Sequence, residues 1–325
     1  MRRLYLEAIR LRSPSYPQGL RLCGPRKVGK TAIVAQLAEE GMACMLQAQG
    51  EDKDSHYRVH PLSVAELCST HVLSAEINPF PKKIDDARFE ALFRFSGFPE
   101  PYLQENARFW KRWRAFSQKQ LLEDILKQTR IHELDQIETL TKLLQQQVAI
   151  LTSHSVLAKQ AGVSPDTIKR WIEILQSFYF CFSLKPYAHH VPRSLLQEPK
   201  YFLWDWSGIV DKDARNKNFV ASHLLKAIHF WTDQGLGIFE LYFLRDKEKR
   251  EVDFLVMKNK KPWFIVDVKV SSDMPLSAHL AYFQQQTGAE HAFQVSMDMP
   301  FEEGNCFEHT APVIVPAKTF LAQLI

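Results

Sequence analysis

At 325 residues the chain exceeds what one ordinary hydrophobic core holds, so about two domains are expected. A hydrophobic share of 46% beside 24% charged residues excludes a disordered or fibrous chain, and the formal net charge of +4 is too mild to demand a polyanionic partner. No apolar run reaches the roughly 18 residues of a membrane span, so no membrane partner is expected. Five scattered cysteines without a Cys-x-x-Cys pair exclude a disulfide framework and a clustered zinc site, and fit a reducing, cytoplasmic setting.

Met1-Arg2-Arg3-Leu4 opens the chain without an export-type apolar core, so export is not expected. Residues 20–23 read as a short strand running into Gly24, and Ile33, Val34, Leu37 and Ala38 give the following segment a helical period. Between them, Gly24-Pro25-Arg26-Lys27-Val28-Gly29-Lys30-Thr31 fits Gly-x-x-x-x-Gly-Lys-[Ser/Thr] in full. In such a loop the glycines let backbone N–H groups converge on phosphate oxygens, and the helix behind adds its positive end. Gly24, Arg26, Lys27, Val28, Gly29, Lys30 and Thr31 are therefore the expected nucleotide-binding residues. Lys30 would reach the β and γ phosphates of ATP, and Thr31 would bind Mg²⁺.

Hydrolysis needs a second part, an apolar strand ending in an acidic residue. Met42 to Leu46 reads as a strand, but Glu51-Asp52 follow it only past a glycine, in polar surroundings. The apolar runs that do end in Asp, Tyr201–Asp205 and Phe264–Asp267, lie far downstream. The acidic partner is expected to be missing.

Short Pro-bearing loops are expected at Asn78–Pro81, at Phe98–Pro101 and between Pro186 and Pro199, around a helical, charged stretch over 86–150. Phe109, Trp113 and Phe116 recur at helical spacing, as a buried stripe would. Residues 155–175 read as two helices about the turn Ala161-Gly162-Val163-Ser164, followed by an aromatic strand from Phe178 to Phe182. Such a helix-turn-helix form can place its second helix on DNA, and Lys169 and Arg170 are the expected contacts. Packing inside a larger protein is the alternative reading. His189-His190 adjoin, but neighbours on a strand point apart, so they are not expected to share a metal.

From about 215 the pattern is helix (219–232), strands at 238–244, 251–257 and 263–270, helix (277–286) and strand (291–296). Glu251 and Asp253 fall on one face of their strand, and Asp267 and Lys269 on one face of the next. Asp253 and Asp267 with Lys269 could hold Mg²⁺ and prepare a water for phosphodiester attack. The alternative is a cross-strand ion pair.

With the Gly24–Thr31 loop, Arg58-Val59-His60-Pro61-Leu62-Ser63-Val64-Ala65-Glu66-Leu67, Trp204-Asp205-Trp206, Glu251-Val252-Asp253 and Asp267-Val268-Lys269, the chain resembles bacterial and archaeal AAA-type ATPases carrying a C-terminal DUF4143 domain. The resemblance implies an α/β protein with a P-loop NTPase domain (residues 1–75), truncated here, then a helical and winged-helix-like middle (76–204). A domain similar to the PD-(D/E)xK nuclease fold would end the chain (205–325). It further implies an ATP-binding protein with weak or absent hydrolysis, because Gln47-Ala48-Gln49 runs almost directly into Tyr57-Arg58 where relatives carry the acidic strand. A nuclease and a non-catalytic DNA-binding or scaffold protein are the alternatives. The helix glutamate that completes the nuclease-like site in relatives falls at Lys217, a reversal of charge.

Overall fold

The computed structural model describes residues 4–12, 20–42, 44–46, 56–68, 73–128, 133–187 and 198–325. Over these the chain is mixed α/β, and no described helix is long and apolar enough to cross a membrane. Gln47, Ala48, Gln49, Glu51, Asp52, His189, His190 and most of the Pro186–Pro199 stretch lie outside the described residues.

Strand β1 (Leu20–Cys23) is the centre of a small parallel sheet, between β2 (Cys44–Leu46) and β3 (His56–Arg58). Helix α1 (Leu4–Arg12) packs against α2 (Lys30–Glu39), which follows the Gly24–Gly29 loop. Three strands this short bury little by themselves, so the sheet depends on what packs against it. That support comes from α10 (Lys212–Asp233), far downstream in the chain. Asp211 caps α10 by accepting a hydrogen bond from Ala214 N, which starts the helix well ahead of the apolar pattern that begins at 219.

The His60–Leu67 segment is the clasp between the two. Glu66, on α3 (Val64–Cys68), is 5% exposed and faces Lys226 of α10, 1% exposed, at 2.6 Å. Lys226 Nζ also donates to Pro61 O, and the other oxygen of Glu66 accepts from Leu4 N. Val64 N donates to His223 Nε2, and Arg58 holds Asp233 with both backbone and guanidinium N–H groups. A buried ion pair is stable only with its remaining valences filled, and here they are.

Helices α4 (Asp86–Phe95), α5 (Pro99–Gln104), α6 (Ala107–Gln128) and α7 (Leu134–Gln146) form the middle layer. The Pro99-Glu100-Pro101 stretch opens α5 and is not a loop, because proline is tolerated in the first helical turn, where its missing N–H is no loss. In α6 Trp113 is buried but Phe116 is half exposed, so the aromatic stripe is not wholly interior. Helices α8 (His154–Ala161) and α9 (Pro165–Ser177) meet about Gly162 in a left-handed turn, and Ser164 caps α9. Leu157, Ile168, Trp171, Ile172 and Leu175 bury the shared face. The aromatic strand starts later than its composition suggests: 178–180 is a turn, and β4 (Cys181–Leu184) pairs antiparallel with β5 (Lys200–Leu203).

The C-terminal sheet has the order β10-β9-β8-β7-β6. Strands β6 (Phe239–Arg245), β7 (Glu251–Lys258) and β8 (Lys261–Lys269) form an antiparallel meander. Helix α11 (Ala278–Thr287) then crosses to β9 (His291–Ser296), parallel to β8, and β10 (Val313–Pro316) adds a second parallel pairing. Helix α12 (Ala317–Gln323) follows and packs on α3, with Gln323 bonded to Asn78. Phe254, Val256, Phe264 and Val266 join the core shared with α10, while Leu255, Met257, Ile265 and Leu280 form a second cluster under α11.

Candidate functional site

The loop after β1 has the backbone that its glycines allow. Gly24 has φ 138 and Gly29 φ 101, and Lys27 adopts φ 60, a left-handed conformation costly for a side chain with a Cβ. Alternating hand along a loop turns its N–H groups toward one side, the geometry of an anion-binding concavity. A Cβ on Gly24 would run into Val59 O, so the chain leaving β3 passes too close for any other residue there.

The loop forms one wall of a cavity of about 410 Å³, within the range of small-molecule sites. Gly24, Pro25, Arg26, Lys27 and Lys30 line it on that side, α6 contributes Trp113, Arg114 and Asp124, and the turn after α9 and the end of β5 contribute Tyr179 and Asp205. Val28 is buried behind the loop, and Thr31 is exposed outside the cavity wall, so the structure does not bring Thr31 to the other lining residues.

Each cation of the loop already has a partner. Lys30 Nζ donates to Gly24 O at 2.5 Å and Pro25 O at 2.6 Å. Arg26 pairs with the buried Asp124 at 2.9 Å, and Lys27 lies 4.1 Å over the Phe116 ring. Burial lowers the Lys30 ammonium to about 8, with Cys23 opposing and Arg26 assisting.

Sequence distance hid one carboxylate of this cavity. Tyr201–Asp205 is an apolar run ending in Asp, the pattern sought downstream of the loop, yet it comes far too late for the usual chain order. The fold nevertheless carries β5 to the cavity, and Asp205 lines it together with Lys30. Asp205 Oδ1 accepts from Ser207 N and Ser207 Oγ.

The C-terminal carboxylates lie elsewhere, at the end of the β7–β8 pairing. Backbone pairing stops at Phe254–Val266, and Asp253 fills the gap by accepting a hydrogen bond from Val268 N at 2.9 Å. The register of β7 on β6 also shifts here, between Tyr242 and Leu244, and such irregularities re-aim side chains beside sites. Asp253 and Asp267 are both buried, close enough for their charges to act on each other, and Lys269 Nζ lies 3.0 Å from Asp267.

Lys217, in the second turn of α10, puts its ammonium 3.2 Å from Asp253 and 3.3 Å from Asp213. Burial works against the Asp253 charge, but Lys217 and Lys200 outweigh it and hold the carboxyl below its usual range. Burial and then Asp253 push Asp267 up to about 6. For Lys217, burial is likewise outweighed by Asp253 and Asp213, which raise it. Glu251 is tied to Lys200 and Arg245. Among the described residues, no three or more His, Cys, Asp or Glu side chains are grouped to hold a metal ion. Two carboxylates, each with a lysine, remain.

Lys169 and Arg170 are exposed side by side on α9, away from that helix's buried face.

Residues 216–306 match the family model described as Domain of unknown function (DUF4143), which takes in α10 and the sheet through β9. Residues 86–211 match the one described as Domain of unknown function (DUF8612), which spans α4 to β5. No curated protein and no solved structure matches the chain.

Proposed function

We propose that this chain binds the phosphates of a nucleotide, ATP or ADP, in the cavity between the Gly24–Thr31 loop and α6, and hydrolyses it slowly or not at all. One observation carries the reading: the full phosphate-loop sequence sits between a parallel strand and a helix, with left-handed backbone at Lys27 and Gly29, and Lys30 faces a cavity of about 410 Å³. The donor set fits the group. The N-terminus of α2, Lys30, Arg26 and Lys27 supply positive charge, and Asp205, which no lysine or arginine of the loop engages, is a carboxylate on hand for Mg²⁺ beside it. When bound, Mg²⁺ would neutralise the developing charge on the phosphates. The chain's own residues would bind and orient them. The same architecture supports an AAA-like, internally shortened P-loop unit, with α8, α9 and the β4–β5 pair as a winged-helix-like middle.

Affinity is expected to be modest, because a ligand must displace Lys30 from two carbonyls and Arg26 from Asp124. Isothermal titration with ATP and Mg²⁺ should give a Kd of about 100 μM or weaker, which corresponds to about 5.5 kcal/mol at most. Lys30→Ala should abolish the binding. Tight binding that ignores this substitution refutes the assignment. Exposed Lys169 and Arg170 make DNA the second partner to test, through the salt dependence of any binding.

A further inference from the structure

Helix α9 ends in a way its sequence does not make easy. Phe180 N donates to Leu175 O and Tyr179 N to Gln176 O, closing the helix about Tyr179 at φ 59. That position is normally a glycine, because a Cβ is strained there. Glycine serves at the comparable position of α8, where Gly162 has φ 70. A tyrosine held in such a conformation is over-determined by its surroundings.

Those surroundings are specific. The Tyr179 ring meets Trp204 edge-on at 5.1 Å. Its hydroxyl lies against the Gly24 backbone and the Cys23 side chain, where β1 turns into the loop. Gly24 in turn supplies one of the two carbonyls that hold Lys30, and Tyr179 lines the same cavity. Gly24 cannot retreat on its other side, where Val59 O lies against it. The first glycine of the loop is thus held between the end of β3 and a hydroxyl delivered by the last turn of α9.

We propose that Tyr179 is a positioning residue for the phosphate loop: through Gly24 it fixes where the loop amides and Lys30 stand, and so ties the end of α9 to nucleotide binding. The proposal rests on the nucleotide reading above. It gives a reason for a tyrosine where the backbone favours glycine.

Tyr179→Phe keeps the ring and removes only the hydroxyl. Titrated with ATP and Mg²⁺, the full-length variant should bind about tenfold more weakly, the scale of one lost hydrogen bond at the loop. Its thermal midpoint should stay within roughly 3 °C of the parent. Amide hydrogen exchange should quicken in the peptide containing Gly24, which a role confined to packing on Trp204 would not cause. Tyr179→Gly, whose left-handed backbone is unstrained, should show the same loss of affinity. Lys30-dependent ATP binding that is indifferent to both substitutions overturns this proposal alone. If the parent protein shows no Lys30-dependent binding, the nucleotide reading fails, and this proposal with it.

Discussion

At the residue scale two buried lysines differ in what surrounds them, Lys30 being lowered and Lys217 raised. Lys30 is lowered to about 8 by burial, and a bound phosphate would raise it again, so binding above that pH requires uptake of a proton. ATP affinity should therefore be greatest below about pH 8 and fall roughly tenfold by about pH 9, with proton uptake visible as a buffer-dependent binding enthalpy. A flat profile from pH 7 to 9 would remove Lys30 from the phosphate contact. Lys217 has the opposite fate, locked charged between Asp253 and Asp213. The natural chain should neither cut DNA with Mn²⁺ nor bind that ion measurably. Lys217→Glu should create Mn²⁺ binding at Asp253 and Asp267 while lowering stability by about 3 kcal/mol, since it leaves Asp253 buried beside a like charge. If calorimetry finds no Mn²⁺ binding in that variant, the carboxylates are structural only. At this scale the sequence was informative where chemistry is local. The loop motif is one unbroken run from Gly24 to Thr31, and the charge reversal at Lys217 is a single position. Asp205 and Tyr179 were not legible as cavity residues, because only tertiary folding brings them to a loop so much earlier in the chain.

Elements were readable where an apolar period ran without interruption, as in α9 and β6 to β8, and misread where a cap or a turn decides the boundary. Asp211 adds two turns to α10, and Tyr179 cuts short a run of aromatics that otherwise reads as strand. β10 and α12 showed no clear period, since α12 is buried nearly all round. The joints between elements make a test of their own. A Cβ on Gly97 would press on the Trp206 ring, Leu62 O and Pro61, whereas one on Gly162 would meet open space at a left-handed φ of 70. Gly97→Ala should cost about 3 kcal/mol or more through forced repacking, and Gly162→Ala only about 1 kcal/mol of backbone strain. Chemical denaturation of the two variants checks the order. Equal losses would mean that the contact of 96–98 with Trp206 yields freely.

Across the whole molecule, the N-terminal sheet and the C-terminal domain share one hydrophobic core and are joined by Glu66–Lys226 and Arg58–Asp233. Lys226→Ala would strand the Glu66 carboxylate at 5% exposure, a loss of about 4 kcal/mol. At roughly 2–4 °C per kcal/mol for a chain of this class, the thermal midpoint should fall by about 10 °C. The loop and the C-terminal sheet should melt together in one calorimetric transition, and an early, separate melting of the N-terminal part would show that the clasp carries little. The clasp also bears on heredity. Its acid, Glu66, comes early in the chain and its base, Lys226, late, so recombination between divergent relatives at any point in between would separate the two halves of one buried pair. Where the other parent carries a different pair at these two positions, such a hybrid gene would inherit a charge without its counter-charge. A change at Glu66 should therefore be followed by a change at Lys226, and the reverse.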